Sequence, residues 1–428
     1  MTGMPSDEPL MRHRRGDATI HDVESLARLL ASTLAYARER RYTGWDYGDG
    51  MSSRILQALP FENKWLNLAF QEGAKRAPIN VRPLLLVEPQ PNYKGMALFA
   101  MANTNARRFV SEYGLDLGGD VDYAAETRWL TEWLLENRSE GYSGFCGGYQ
   151  HSFQGLSHRG EPGDPDLVST SYAVKALLRA SDFDPAYPDV ARTASAFAVD
   201  DLHYQKTDHG AVVDYHFNHG DAYTINAGAI GARLFIDLYD YFGDRRLRER
   251  ARALLDHIAT LQTDLGGWYY RDPPDASHLS MDSFHNGFIV ESYQRFHDVA
   301  GPRYEKTLGR ALSFYREVLF DPDGTPNWDE TSSHPRDIHA AAQGILVFTY
   351  AGDLAFAERI LEWTLENLYA GDGRFYYRKH RYYTKQYTLM RWCQGWMAYA
   401  ISEYLRKRTA DPDHCPERTS GEFRLHAE

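Results

Sequence analysis

Ala227-Gly228-Ala229-Ile230-Gly231-Ala232 carries no charged or polar side chain on any face of a helix. A helix that is apolar all round is a buried one, and its glycines let neighbouring backbones approach closely. Outward from this stretch, the chain repeats one unit: a glycine-and-aromatic loop, a gap, then a helix that opens on polar residues and carries a small one. The first copy has Gly144-Phe145, Asp166 and Ser169-Thr170-Ser171-Tyr172, and the second has Gly210, Asp214-Tyr215, Asp221 and Asn226-Ala227-Gly228. The third has Gly267-Trp268-Tyr269-Tyr270, Asp282 and His285-Asn286-Gly287, and the fourth has Gly324, Asn327-Trp328, Asp337, His339 and Gln343-Gly344. The fifth has Gly373, Phe375-Tyr376-Tyr377, Arg391-Trp392 and Gln394-Gly395. The small residues fall at positions 171, 228, 287, 344 and 395. A period in the fifties suits two helices of roughly 11–20 residues each and two loops.

Between the polar-start helices lie amphipathic ones with charged backs, at 189–201, 245–261, 302–319 and 354–368. In the second of these, Leu247, Ala251, Leu254, Leu255 and Ile258 recur at helical spacing on one side, the mark of an outer layer. Alternating inner and outer helices predict a closed double ring. Further helices are expected at 23–40, 61–76, 93–112 and 124–137, giving six hairpins, with the three prolines of 81–91 interrupting the pattern. The expected fold is all-α, a single (α/α)6 toroid or six-hairpin barrel with aromatic-rich loops on one rim. It should occupy 21–408, between a loosely ordered segment at 1–20 and a flexible tail at 409–428.

The 43% hydrophobic content of these 428 residues excludes a structureless chain. Forty-seven Lys+Arg against 59 Asp+Glu leave a net charge of −12, which argues against nucleic acid or an anionic membrane as partner. Cys146, Cys393 and Cys415 are odd in number and far apart, so a reducing compartment fits better than a disulfide framework. The polar, Arg-bearing first 21 residues show no secretory leader, and apolar runs such as 84–87 and 96–102 are too short to span a bilayer. The expectation is a soluble, cytoplasmic protein of unassigned oligomeric state, with no transmembrane segment.

In such a ring the N-terminal ends of the inner helices share one rim with the preceding loops, and their unpaired N–H groups favour anions there. The candidate proton carriers are Asp282, His285, Asp337 and His339. Asp282 and His285 are three apart and share a helix face, fit for a coupled acid/base pair; Asp282 also suits a helix cap. Asp337 and His339 are two apart and diverge if both are helical, which favours His339 as the cavity residue and Asp337 as a cap. Adjacent inner helices would allow Asp282 and Asp337 either carboxylate separation used by glycosidases. Arg391 needs a carboxylate, from Asp337, Glu291 or an acidic substrate. Rings with polar tips at a cavity mouth suit the C–H faces of sugars. Tyr149, Trp268, Tyr270, Trp328, Tyr383 and Trp392, with Asn286, Gln343 and Gln394, are therefore candidate substrate contacts beside Arg391. Cys146 has no histidine to pair with, and the spacing of Asp282, His285 and His339 supports no metal. No cofactor motif is present.

The strings Asp282-Ser-Phe-His285-Asn-Gly287 and Arg391-Trp392-x-x-Gly-Trp396-Met397, with Asn80-Val-Arg82-Pro83-Leu84-Leu-Leu-Val87, resemble a family of α/α toroids found with exopolysaccharide biosynthesis genes. The resemblance spans roughly residues 20–407 and implies a glycan setting. More distantly, the chain is similar to unsaturated glucuronyl hydrolases, N-acylglucosamine epimerases and uronyl epimerases. The first likeness implies Asp282 or Asp337 as the acid/base of a hydrolase; the others imply His285 and His339 as the pair of an epimerase. The expected function is general acid/base chemistry on an acidic, uronate-type sugar by hydrolysis, elimination or epimerisation. The alternative is a non-catalytic glycan-binding or assembly component.

Overall fold

The computed structural model describes residues 22–156, 159–217 and 222–410. The expected N-terminal segment 1–20, Asp221, and nearly all of the tail with Cys415 lie outside the described residues. The first helices are α1 (Val23–Glu39), α2 (Arg54–Gln57), α3 (Lys64–Arg76), α4 (Tyr93–Tyr113) and α5 (Tyr123–Glu136). Next come α6 (Leu167–Arg179), α7 (Ala186–Ala196), α8 (Ile225–Phe242), α9 (Arg245–Thr260) and α10 (Ser283–Ala300). The chain continues through α11 (Glu305–Glu317), α12 (Ile338–Ala351), α13 (Leu354–Leu368) and α14 (Trp396–Ala410), the last entered through a π-helical turn at Met390–Gly395.

Helices α4, α6, α8, α10, α12 and α14 pack each on the next, and α14 packs back on α4, which closes the inner ring. Helices α5, α7, α9, α11 and α13 lie outside their preceding partners, and α1 lies outside α14. The first and last ring helices thus form the sixth hairpin together. The expected (α/α)6 toroid is the fold. Its layers follow from the side chains: α9 buries the five residues that the spacing singled out, whereas α8 buries every residue from Ile225 to Leu238.

The stretch 61–76 does not supply a ring helix. α3 begins at Lys64 and packs on the Asp49–Ser52 turn and the Phe153–Gln154 strand. It belongs to an insertion between Gly44-Trp45 and Asn92, which separates the loop of a sixth repeat from its helix α4. That separation hides the copy from a search for a fixed period.

Side-chain caps fix where four of the inner helices start. Asn92 accepts from Gly95 N at 3.0 Å, Asp166 from Ser169 N at 2.7 Å, Asp282 from His285 N at 3.2 Å and Asp337 from His339 N at 2.7 Å. A second device ties three of the loops to their helices. Asn286 exchanges two hydrogen bonds with the backbone of Trp268, at 2.8 and 2.9 Å. Gln394 accepts from Phe375 N and donates to Gly373 O, both at 2.8 Å, and Thr170 bonds the backbone of Gly147. Among the described residues, no helix is long and apolar enough to cross a membrane.

Candidate functional site

The caps bring several polar side chains to one rim, and each meets a different environment there. His285 Nδ1 lies 2.7 Å from Asp282 Oδ2. A carboxylate on Nδ1 fixes the tautomer and leaves Nε2 to exchange protons. The ring lies 4.5 Å from Tyr270 and 4.1 Å from Phe284, with 15% of the side chain exposed.

His339 sits deeper, on α12. Its ring is stacked between Phe284 at 4.7 Å and Trp396 at 4.4 Å, with Trp392 edge-on at 4.6 Å. Both ring nitrogens are buried with no hydrogen-bond partner among the described residues. Burial, then the cations Lys94 and Arg391, hold this imidazole well below the usual histidine range. It is neutral at pH 7, and an unpaired buried polar group costs about 1–3 kcal/mol.

Asp337 and His339 do not diverge as two helical neighbours would. Helix α12 starts at Ile338, so Asp337 is extended (φ −106°, ψ 136°). Its carboxylate accepts from Trp392 Nε1 at 2.9 Å and from Arg378 Nε, so both residues converge on Trp392. The expected partner of Arg391 also needs correction. Neither Asp337 nor Glu291 pairs with it; Asp46 does, Oδ2 to Nε at 2.7 Å, while also accepting from Asn92 Nδ2 at 2.7 Å. Asp46 enters from the start of the insertion, and sequence reasoning missed it.

Lys94 was missed too. It lies in the first turn of α4, is 4% exposed and makes no hydrogen bond among the described residues. Its Nζ lies 6.0 Å from the centroid of the Tyr149 ring. Burial, then the Arg391 guanidinium, pull its pKa down to about 7. The signal was available: Lys94 is a lone charge at the head of the apolar run Met96–Ala102.

Of the predicted ring contacts, four stand at the rim. Tyr149 lies under Arg391 at 5.4 Å, Tyr270 against His285, and Trp328 under Arg378 at 4.8 Å. Trp392 is stacked on Tyr47 at 4.4 Å. Tyr383 is exposed and stacked on His380 at 4.5 Å. Trp268 is a core residue instead, with Nε1 donating to Ile258 O at 2.8 Å and its ring stacked on Tyr293. Asn286 and Gln394 are spent on the loop clamps, and Gln343 donates to Glu291 Oε2 at 3.0 Å, deeper along the axis. Burial pushes the Cys146 thiol up to about 12, which leaves no thiolate at neutral pH. Among the described residues, no group of three or more His, Cys, Asp or Glu is placed to hold a metal ion.

The opposite end of the ring has a cavity of ≈ 350 Å³, bounded by Lys175, Arg179, Asp237, Glu291, Arg295 and Arg406. Its charges are matched: Glu291 with Arg233 at 2.6 Å and Lys175 at 3.3 Å, and Glu403 with Arg179 at 2.5 Å and Arg406 at 2.9 Å.

No protein-family model matches the sequence, and no curated protein matches it either. Among solved structures, the chain is similar to cellobiose 2-epimerase from Bacillus thermoamylovorans B4167, at 12% identity and TM-score 0.57, over 75% of this chain and 90% of that one. A glycoside hydrolase family 76 mannosidase, Bt3792 from Bacteroides thetaiotaomicron VPI-5482, matches at 11% identity and TM-score 0.58, over 90% and 100%. An unsaturated glucuronyl hydrolase specific for heparin matches at 13% identity and TM-score 0.56, over 91% and 97%. At these identities the likeness establishes the (α/α)6 toroid fold alone.

Proposed function

We propose that this chain is a carbohydrate-active enzyme that moves protons on an acidic, uronate-type sugar, with His285 and His339 as the proton carriers. The observation that carries the reading is His339: a neutral imidazole with two unpaired nitrogens, one ring away from the Asp282–His285 dyad. In the step proposed, one imidazole takes the proton from the carbon beside the sugar's carboxylate, and the other returns a proton to the opposite face. Such transfers are worth roughly 10²–10⁴-fold each. Two-carboxylate hydrolysis has less support, because Asp282 is engaged by His285 and Asp337 by Arg378 and Trp392. The structural neighbours named as epimerase and hydrolase support sugar chemistry in general. The resemblance to the exopolysaccharide-associated toroids supports a place in glycan synthesis or modification. The unpaired thiols of Cys146 and Cys393 support the cytoplasm, and the closure of α1 on α14 supports one folding unit over 21–408.

The test is to incubate the purified protein with hexuronates and uronate-containing oligosaccharides in D₂O and follow carbon-bound deuterium by NMR and mass spectrometry. Incorporation that disappears in His339→Ala and Asp282→Asn, with the helical fold retained, is expected. Bond cleavage without carbon-bound deuterium would make the protein a hydrolase, and binding with no chemical change would make it a glycan-binding component.

A further inference from the structure

Resting on that reading of the rim, we infer that Lys94, and not Arg391, is the residue that receives the substrate's carboxylate. Arg391 has its counter-ion within the protein, since Asp46 holds it at 2.7 Å. Arg378 likewise has Asp337, and Arg82 has Asp49 at 2.6 Å. Lys94, 4% exposed, has no acceptor within hydrogen-bond distance among the described residues. Its position is costly in two further ways. It stands in the first turn of α4, where the helix dipole disfavours a positive charge, and the neighbouring Arg391 repels it. Gly95 brings α4 this close: a Cβ there would lie 3.2 Å from Arg391 Cβ. The surroundings of Lys94 also have the character of an anion site. The charges that weigh most on neighbouring His339 are Lys94 and Arg391, both positive, and Tyr149 closes them on one side. A carboxylate there would give Lys94 its missing acceptor and would place the adjacent carbon beside the unpaired imidazole. A neutral sugar offers Lys94 only hydroxyls.

The experiment compares binding of three hexuronates (glucuronate, galacturonate, mannuronate) with that of the matching hexoses, by calorimetry, in the wild type and in Lys94→Met. A charge-assisted hydrogen bond supports about a 10- to 100-fold preference for the fitting hexuronate in the wild type, and Lys94→Met should erase it. The variant should also melt at a higher temperature, because it removes an unpaired buried charge; a lysine with a merely structural role would lower the melting point. Hexuronates and hexoses bound alike by the wild type, or a preference intact in Lys94→Met, would overturn the inference. Deuterium exchange is read separately. A Lys94-dependent preference without exchange would leave this inference standing while the proton-transfer reading fails.

Discussion

Beside the cavity at the far end of the ring, Glu291 of α10 meets Lys175 of α6 and Arg233 of α8, whereas at the N-terminal ends of the inner helices, among the described residues, Lys94 of α4 makes no hydrogen bond and both ring nitrogens of His339 of α12 are unpaired. Both sets are buried in the same ring, and both cost desolvation. At one end the protein supplies the compensation itself, through ion pairs that tie three helices across the axis. At the other it leaves a donor and an imidazole uncompensated. A folded chain keeps such groups at the expense of stability where function requires them. The two ends therefore differ in what substitution should do: at the paired end stability is lost, and at the unpaired end activity is lost with stability kept or gained.

The sharpest break of this comparison is at the unpaired end. His285→Ala and His339→Phe should each lower turnover by at least about 10²-fold, measured as deuterium incorporation per folded molecule. Phenylalanine suits the slot that Phe284, Trp392 and Trp396 form, so His339→Phe should unfold at the same urea concentration as the wild type or a higher one. A large loss of stability in that variant would make His339 a structural residue and end the contrast.

Glu291→Gln tests the paired end. It leaves Arg233, 1% exposed, and Lys175 without their carboxylate. Breaking a buried pair from one side costs about 3–5 kcal/mol, to be read from urea unfolding. Turnover per folded molecule should fall far less than in the histidine variants, since Glu291 lines the cavity at the far end of the ring.

The architecture was legible because the ring imposes chemistry on the sequence. An inner helix such as α8 is buried on every side from Ile225 to Leu238, and Asp or Asn caps recur because such helices need their first N–H groups satisfied. Asp282 with His285 was legible as well, since both lie within one helical turn. Asp46 was not, because its contact with Arg391 joins residues from opposite ends of the chain, which local spacing cannot reveal. Asn286, Gln394 and Trp268 misled for a related reason. Asn286 and Gln394, each next to a glycine at the head of its inner helix, look equally fit for a ligand and for a neighbouring loop, and the loop took them; Trp268, in the loop itself, turns into the core.

A pH series sharpens the comparison at Lys94. Its ordinary value is 10.5 and the folded protein lowers it to about 7, so between those pH values the unfolded chain holds a proton that the folded chain has released. Stability should therefore rise with pH across this window, by at most about 1.4 kcal/mol per unit from this group. Below pH 7 both states are protonated and the penalty is fully present. The charges that act on Lys94 include Arg391, Arg233, Asp46 and Asp166. Lys94→Met should remain more stable than the wild type at pH 6.5, and the gap should close toward pH 9.5 in urea titrations. A gap that widens with pH would show that Lys94 is paired after all.

The smallest effects should come from the loop clamps, which stand at the unpaired end yet belong with the structural half of the comparison. Asn286→Ala removes two hydrogen bonds to the Trp268 backbone, and Gln394→Ala removes two to the loop at Gly373–Phe375. Each bond is worth about 1 kcal/mol, so each variant should lose roughly 1–3 kcal/mol. Tyr270 stands against His285 two residues beyond Trp268, so Asn286→Ala should raise KM several-fold through a looser loop while kcat falls little. Gln394→Ala should affect KM less, because its loop carries Phe375 and Tyr377, both buried. Equal kinetic effects from the two variants would mean that the clamps act on the ring as a whole, and Tyr270 would lose its claim to the substrate.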